Sequence, residues 1–204
     1  MPLNITLTDY GVGNLYSIRR SLENCGAEVT VVTDMKDVLD AECIVFPGVG
    51  AFDRTMEKLQ PYREDIREKL ASGTPALGIC IGMQLMCLDS EEGDTRCLGI
   101  FPAHVVRLRG GENPLKIPHV GWDTVGRLRS PLFDGLGEGT YLYYVHSYAA
   151  QACDATIAQT DYGGIFSAAL GRGNFFGTQF HPELQNDAHR DGQRILENFF
   201  AHYV

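Results

Sequence analysis

A cysteine with a glycine two positions away on either side, Gly78-Ile79-Cys80-Ile81-Gly82, is the segment of this chain best suited to nucleophilic chemistry. An apolar run, 75–79, leads into it, and a helix-like stretch leads out to about Leu88. A reactive residue on a sharp strand-to-helix turn is crowded enough to leave room only for glycine on both sides. That is the form of a nucleophile elbow with Cys in place of Ser. At such a turn the helix N-terminus points unpaired amides and a positive partial charge at the sulfur, which favours thiolate over thiol. The amide of Ile81 would face the oxyanion that forms when the thiolate attacks a carbonyl. The plainer alternative is a free cysteine packed at an ordinary tight turn of a parallel sheet.

A nucleophilic cysteine needs a base, and the base needs a group that orients it. Phe180-His181-Pro182-Glu183, at the end of an apolar run, supplies both. Pro182 biases His181 towards extended backbone. In an extended segment residues i and i+2 point the same way, so the Glu183 carboxylate is expected to hold one imidazole nitrogen and leave the other for Cys80. A second glycine-rich loop, Pro47-Gly48-Val49-Gly50-Ala51-Phe52, also follows a strand-like run. The carboxyl ends of neighbouring parallel strands line one crevice, which makes the amides of this loop candidates for a second oxyanion donor. The plainer reading is a strand-to-helix turn with nothing bound. No Gly-Lys-Ser/Thr follows it, so it is no phosphate loop. No set of His, Cys and carboxylate residues has ligand spacing, so neither a metal nor a cofactor is expected.

These residues must be positioned by strands and helices. Residues 3–9 alternate apolar and polar like a strand, and Leu15, Ile18 and Leu22 recur at helical spacing before Gly26. Runs at 27–32 and 43–46 read as further strands, and 51–71 reads as helix broken near Pro61. This alternation over the first ninety residues predicts a mostly parallel sheet covered on both faces. Beyond residue 100, apolar runs at 104–108, 140–148, 155–159, 165–170 and 174–180 suggest antiparallel additions to that sheet. A final helix is expected at about 188–202. No repeat, low-complexity tract or linker interrupts the 204 residues, so a single domain, 1–204, is expected.

Composition narrows the classes. Hydrophobic residues make up 44% and charged residues 21%, as in soluble globular proteins. The formal net charge of −9 argues against nucleic acid or anionic lipid as a partner, though not against a partner with a basic patch. No apolar run approaches the roughly 20 residues of a membrane span. The start, Met1-Pro2-Leu3-Asn4, lacks the basic and apolar stretches of a signal peptide. The six scattered cysteines then read as reduced thiols, and the expected compartment is the cytoplasm.

Several of these segments together carry a resemblance. Gly-Ile-Cys-Ile-Gly-Met-Gln at 78–84, Pro-Gly-Val-Gly at 47–50 and His-Pro-Glu at 181–183 resemble the class I glutamine amidotransferases. Asp9-Tyr10-Gly11-Val12-Gly13-Asn14-Leu15, Pro118-His119-Val120-Gly121-Trp122 and Tyr143-Tyr144-Val145-His146-Ser147-Tyr148 narrow it to the glutaminase subunits of imidazole glycerol phosphate synthases, in histidine biosynthesis. The resemblance implies a flavodoxin-like α/β fold, with a mostly parallel sheet, helices on both faces and an antiparallel extension. It implies Cys80 as nucleophile, His181 as general acid/base and Glu183 as its orienting partner. Gly48, Val49, Gly50 and Ile81 would surround the oxyanion, and Gln84, His146, Ser147 and Tyr148 would bind glutamine. Glu92 would face the glutamine ammonium. Asn14 and Trp122 would lie towards a cyclase subunit that receives the ammonia, although core packing is an equal reading of Trp122. His119 is expected to be structural or interfacial. Two departures stand out: Leu184-Gln185 replaces the usual basic residue and serine after His-Pro-Glu, and Asp123 replaces the usual Asn after Gly-Trp. They leave the triad intact and bear on the choice of partner. The rival readings are an amidotransferase subunit serving anthranilate, aminodeoxychorismate, pyridoxal phosphate or nucleotide-sugar synthesis, a stand-alone cysteine amide hydrolase, and a non-catalytic scaffold.

Overall fold

The structure, a computed structural model, describes residues 3–11, 14–48, 52–110, 114–186 and 188–204. Its strands are β1 (Leu3–Thr8), β2 (Ala27–Val32), β3 (Ile44–Phe46), β4 (Ala76–Ile79), β5 (Asp89–Ser90), β6 (Thr95–Arg96), β7 (His104–Arg107), β8 (His119–Val125), β9 (Thr140–His146), β10 (Tyr148–Ala150), β11 (Thr156–Asp161), β12 (Ile165–Arg172) and β13 (Phe175–Thr178). The helices are α1 (Leu15–Asn24), α2 (Phe52–Leu59), α3 (Arg63–Ala71), α4 (Ile81–Leu85) and α5 (Asp191–Tyr203).

Seven strands form the main sheet in the order β11-β12-β13-β4-β3-β1-β2. Its β2, β1, β3, β4 and β13 run parallel, while β12 and β11 extend it antiparallel. The central strands β3 and β4 are buried along their whole length, as strands covered on both faces must be. Their alternation divides the core in two. Val45, Leu77 and Ile79 face a cluster with Ile18 and Leu22 of α1 and Ile195 and Phe199 of α5. Ile44, Phe46 and Ala76 face the opposite cluster with Met56 of α2, Ile66 and Leu70 of α3 and Met83 of α4.

The α/β expectation holds, with the break at Pro61 as expected and two adjustments. Pro61 does interrupt 51–71, as a short 3₁₀ turn at Gln60–Tyr62 between α2 and α3. Helix α4 stops at Leu85 rather than near Leu88, because the returning chain takes its carbonyls. Leu98 donates to the oxygen of Leu85 (2.8 Å), Ile100 to Met86 (2.8 Å) and Gly99 to Cys87 (2.7 Å). The runs at 104–108 and 140–148 do not join the main sheet. They contribute instead to a four-stranded sheet, β10-β7-β5-β6, and to the β8–β9 hairpin.

The order β3-β4-β13 matters most for function. These three parallel neighbours end at one edge, so the residues after them, Gly48, Cys80 and His181, are delivered to one place.

Candidate active site

Cys80 follows β4 and precedes α4 with φ 53° and ψ −107°, a backbone conformation seldom taken by a residue with a side chain. Its own N–H donates to the Thr178 carbonyl at 2.6 Å, and its carbonyl accepts from Gln84 at 3.1 Å. The surrounding glycines are needed for close backbone approach. A Cβ on Gly82 would stand 1.9 Å from the Phe46 oxygen, and one on Gly78 would stand 2.5 Å from the Gly82 carbonyl carbon. One on Gly48 would meet the Ile79 oxygen at 1.7 Å and the Ile81 nitrogen at 2.4 Å. Gly48, which follows β3, therefore lies directly against the elbow. Val49 and Gly50, also expected here, lie outside the described residues. As the first residue of α4, Ile81 has an N–H with no acceptor inside the helix.

His181 is buried, and its backbone N–H donates to the Tyr143 oxygen at 2.9 Å. Its Nδ1 lies 2.8 Å from Oε1 of the buried Glu183. The pairing matches expectation, but its origin differs. Leu184 donates to the His181 oxygen at 3.2 Å, so residues 181–184 form a turn, and the turn rather than extended backbone brings Glu183 under the ring. With Nδ1 engaged, Nε2 is free, and it has no hydrogen-bond partner. Burial opposes a charge on the ring, but the Cys80 sulfur and the Glu183 carboxylate outweigh it and raise the His181 pKa above its usual range. The environment thus favours the protonated form of the His181 ring.

Cys80 opens onto a cavity of about 300 Å³ lined by Gly48, Ile81, Gln84, Glu92, Pro118, Val145, His146, Ser147 and Tyr148. Every glutamine-site residue expected from the sequence and described here is therefore at one cavity, while His181 and Glu183 are buried side chains outside its lining. Glu92 has its pKa raised, by burial and then by the nearby Asp53. Gln84 uses its Nε2 on the Tyr148 oxygen (2.9 Å) and on Gln179 Oε1 (3.1 Å), which leaves its own Oε1 unpaired. His146 lies 2.8 Å from the Tyr148 oxygen through Nδ1 and 3.1 Å from His119 Nδ1 through Nε2. Burial lowers the His146 pKa to about 3, so this ring is neutral. His119, stacked on Tyr144 and Tyr162, reaches Asp123 through Nε2 at 3.1 Å. Burial lowers its pKa against the opposing pull of Asp123.

Asn14 is exposed and caps α1, accepting from the Ser17 N–H at 3.3 Å. Trp122 is half-buried on β8, edge-on to Tyr143 at 5.5 Å and 4.5 Å from the His189 ring. Neither touches the cavity. Pro118 and Val145 line the cavity and Gln179 lies beside Cys80, although the sequence reading gave them no role. For Gln179 a signal existed, since it stands two places before His181 and beside the end of β4. Among the described residues no His/Cys/Asp/Glu group could hold a metal ion. All six cysteines are free.

A strained cysteine on an elbow, a buried His–Glu pair behind it and an unpaired helix amide are the parts that cysteine acyl transfer requires, set in a three-layer α/β fold. The glutamine amidotransferase class-I family pattern matches residues 6–203, and the chain belongs to that family. More particularly, it is 42% identical to "Imidazole glycerol phosphate synthase subunit HisH" of Bacteroides fragilis over 97% of this chain and 98% of that one. It is 43% identical to the protein of that name from Chromobacterium violaceum over 98% of both, and 44% identical to that from Archaeoglobus fulgidus over 96% of both. The fold matches PurLQS from Thermotoga maritima with TM-score 0.75 at 17% identity, covering 99% of each chain. It also matches the "putative gmp synthase subunit a protein" of Thermoplasma acidophilum with TM-score 0.73 at 21% identity, covering 98% of this chain and 94% of that one.

Proposed function

We propose that this chain is the glutaminase subunit of an imidazole glycerol phosphate synthase, hydrolysing glutamine and passing the ammonia to a cyclase subunit. The observation that carries this reading is Cys80 at the elbow with the His181–Glu183 pair behind it, at a cavity of about 300 Å³. The relatives' shared name, across nearly the whole of each chain, supports the choice of pathway.

In this mechanism the Cys80 thiolate attacks the γ-carbonyl carbon of glutamine. The oxyanion is held by the Ile81 amide, the first free amide of α4, and by amides of the 48–50 loop; each such donor is typically worth a factor of about 100–1,000 in rate. The tetrahedral adduct collapses, the C–N bond breaks, and His181 gives its proton to the departing ammonia. Water, deprotonated by His181, then attacks the thioester, and glutamate leaves as the thiolate is restored. Glu92 faces the substrate ammonium, and Gln84 with the backbone of 146–148 holds the amino-acid end.

Ammonia that escapes gains a proton and is lost as a nucleophile, so a partner must receive it. The cyclase would use it to make imidazole glycerol phosphate and aminoimidazole carboxamide ribotide. Val120 on β8 and Tyr141 on β9 are large apolar side chains left about half exposed, at 50% and 47%, and they share the hairpin with Trp122. That face, together with Asn14, is the docking surface in this reading, and the net charge of −9 suits a basic partner. No helix among the described residues is long and apolar enough to cross a membrane. A single domain acting in the cytoplasm completes the proposal. The test is glutamate release from glutamine by wild type and Cys80→Ala, with and without the cyclase and its nucleotide ligand. Activity that rises with the cyclase and vanishes in Cys80→Ala is expected. Cys80-dependent activity indifferent to the cyclase would discard the partner, and no glutamate under any condition would discard the enzyme.

A further inference from the structure

Gln179 lies one residue beyond β13, fully buried, with its backbone N–H donating to the Ala168 oxygen at 2.8 Å. Because Thr178 pairs with Ile79, the next residue on each strand, Gln179 and Cys80, come side by side. The Gln179 Nε2 stands 3.5 Å from the Cys80 sulfur.

Which end of that amide faces the sulfur follows from a chain of hydrogen-bond logic. A backbone carbonyl can only accept, so the Gln84 group 2.9 Å from the Tyr148 oxygen must be its nitrogen. That same nitrogen is 3.1 Å from Gln179, which must therefore present its oxygen. The Gln179 nitrogen is left pointing at Cys80. A backbone carbonyl two links away thus sets the orientation of a buried donor at the nucleophile.

We propose that Gln179 is a further catalytic residue of the glutaminase reaction, its side-chain N–H donating to the Cys80 thiolate and Gln84 keeping the amide the right way round. The proposal rests on the reading of Cys80 as nucleophile. A donor on the sulfur raises the thiolate population and directs the sulfur lone pairs. The opposing effect, a lower intrinsic nucleophilicity, is the smaller one, since reactivity falls with only about half the change in thiolate basicity. Gln84 then has two roles, lining the cavity and bracing Gln179.

The test is the pH dependence of Cys80 alkylation by iodoacetamide in the full-length chain, read by mass spectrometry of the Cys80 peptide so that the other five cysteines do not interfere. Gln179→Leu is expected to move the midpoint to higher pH by about one unit. Gln84→Leu should move it the same way by less, because the donor remains but loses its brace. An unchanged midpoint in a folded Gln179→Leu protein would overturn the proposal. Should that variant not fold, the wild-type chain still decides. The Gln179 side-chain amide resonance should titrate with the alkylation midpoint and stop titrating in Cys80→Ala, and a pH-independent resonance would equally overturn it. Failure of the underlying reading looks different: Cys80→Ala would then retain glutamate release, whatever Gln179 does.

Discussion

The backbone of Cys80 invites a comparison that separates fold from chemistry. At φ 53° and ψ −107° it lies outside even the small left-handed well near φ +57°, ψ +47°. Strain of this kind costs about 1–3 kcal/mol, and the distance from any allowed well places Cys80 in the upper half of that range. Cys80→Ala keeps the Cβ and the strain, whereas Cys80→Gly removes both. Glycine brings back about 0.5–1 kcal/mol of backbone entropy. The lost methyl lines a cavity, so its removal adds little. The glycine variant should therefore be the more stable by about 1–2.5 kcal/mol, which for a chain of this length raises Tm by about 2–10 °C. Both variants lack the sulfur and neither turns over glutamine, so thermal unfolding followed by circular dichroism reports the backbone alone. A Cys80→Gly protein that melts no higher than Cys80→Ala would refute the claim that the elbow is held under strain.

Three further outcomes follow from the same geometry. Gly48→Ala should lower Tm by about 6–12 °C, from overpacking of about 3 kcal/mol, because its Cβ would stand 1.7 Å from the Ile79 oxygen; Gly137→Ala, with nothing within 4 Å, should leave Tm unchanged in the same melt. Glu183→Gln should reduce kcat on the order of 100-fold. The Glu183 carboxylate helps to raise the His181 pKa, so its neutralisation should also move the alkaline limb of the pH–rate profile to lower pH. Asp53 contributes to the raised pKa of Glu92, and Asp53→Asn should lower it. The rise in KM for glutamine on acidification should then begin at a lower pH than in wild type, and steady-state kinetics across the acid range would show it.

The candidate site was legible in the sequence because its parts are local. Gly78 and Gly82 announce the crowding at Cys80, and the structure shows its source as the first turn of α4 and the end of β3. The His181–Glu183 pairing was also legible, though a turn makes the contact that extended backbone was expected to make. What escaped depends on chain segments far apart. Strand β5 is only Asp89–Ser90 and exists because β6 and β7 flank it. Strand β8 carries Gly121 and Asp123 among half-exposed residues, so no apolar run marks it, yet it pairs with β9 along its whole length. Gln179 escaped although it stands two places before His181, because a neutral amide points to no chemistry until a sulfur is found beside it.

The row Tyr148 oxygen, His146, His119, Asp123 has a consequence in proton counting. Three contacts, of 2.8, 3.1 and 3.1 Å, join two acceptors through four ring nitrogens. Each needs one hydrogen, but two neutral imidazoles bring only two. The row is therefore complete only with a third proton, which burial keeps off His146. An asparagine at 123 would lend its own N–H to His119 and complete the row with both rings neutral. With aspartate and both rings neutral, one of the two 3.1 Å contacts of His119, to His146 or to Asp123, has no hydrogen, and His146 lines the cavity where glutamine would lie.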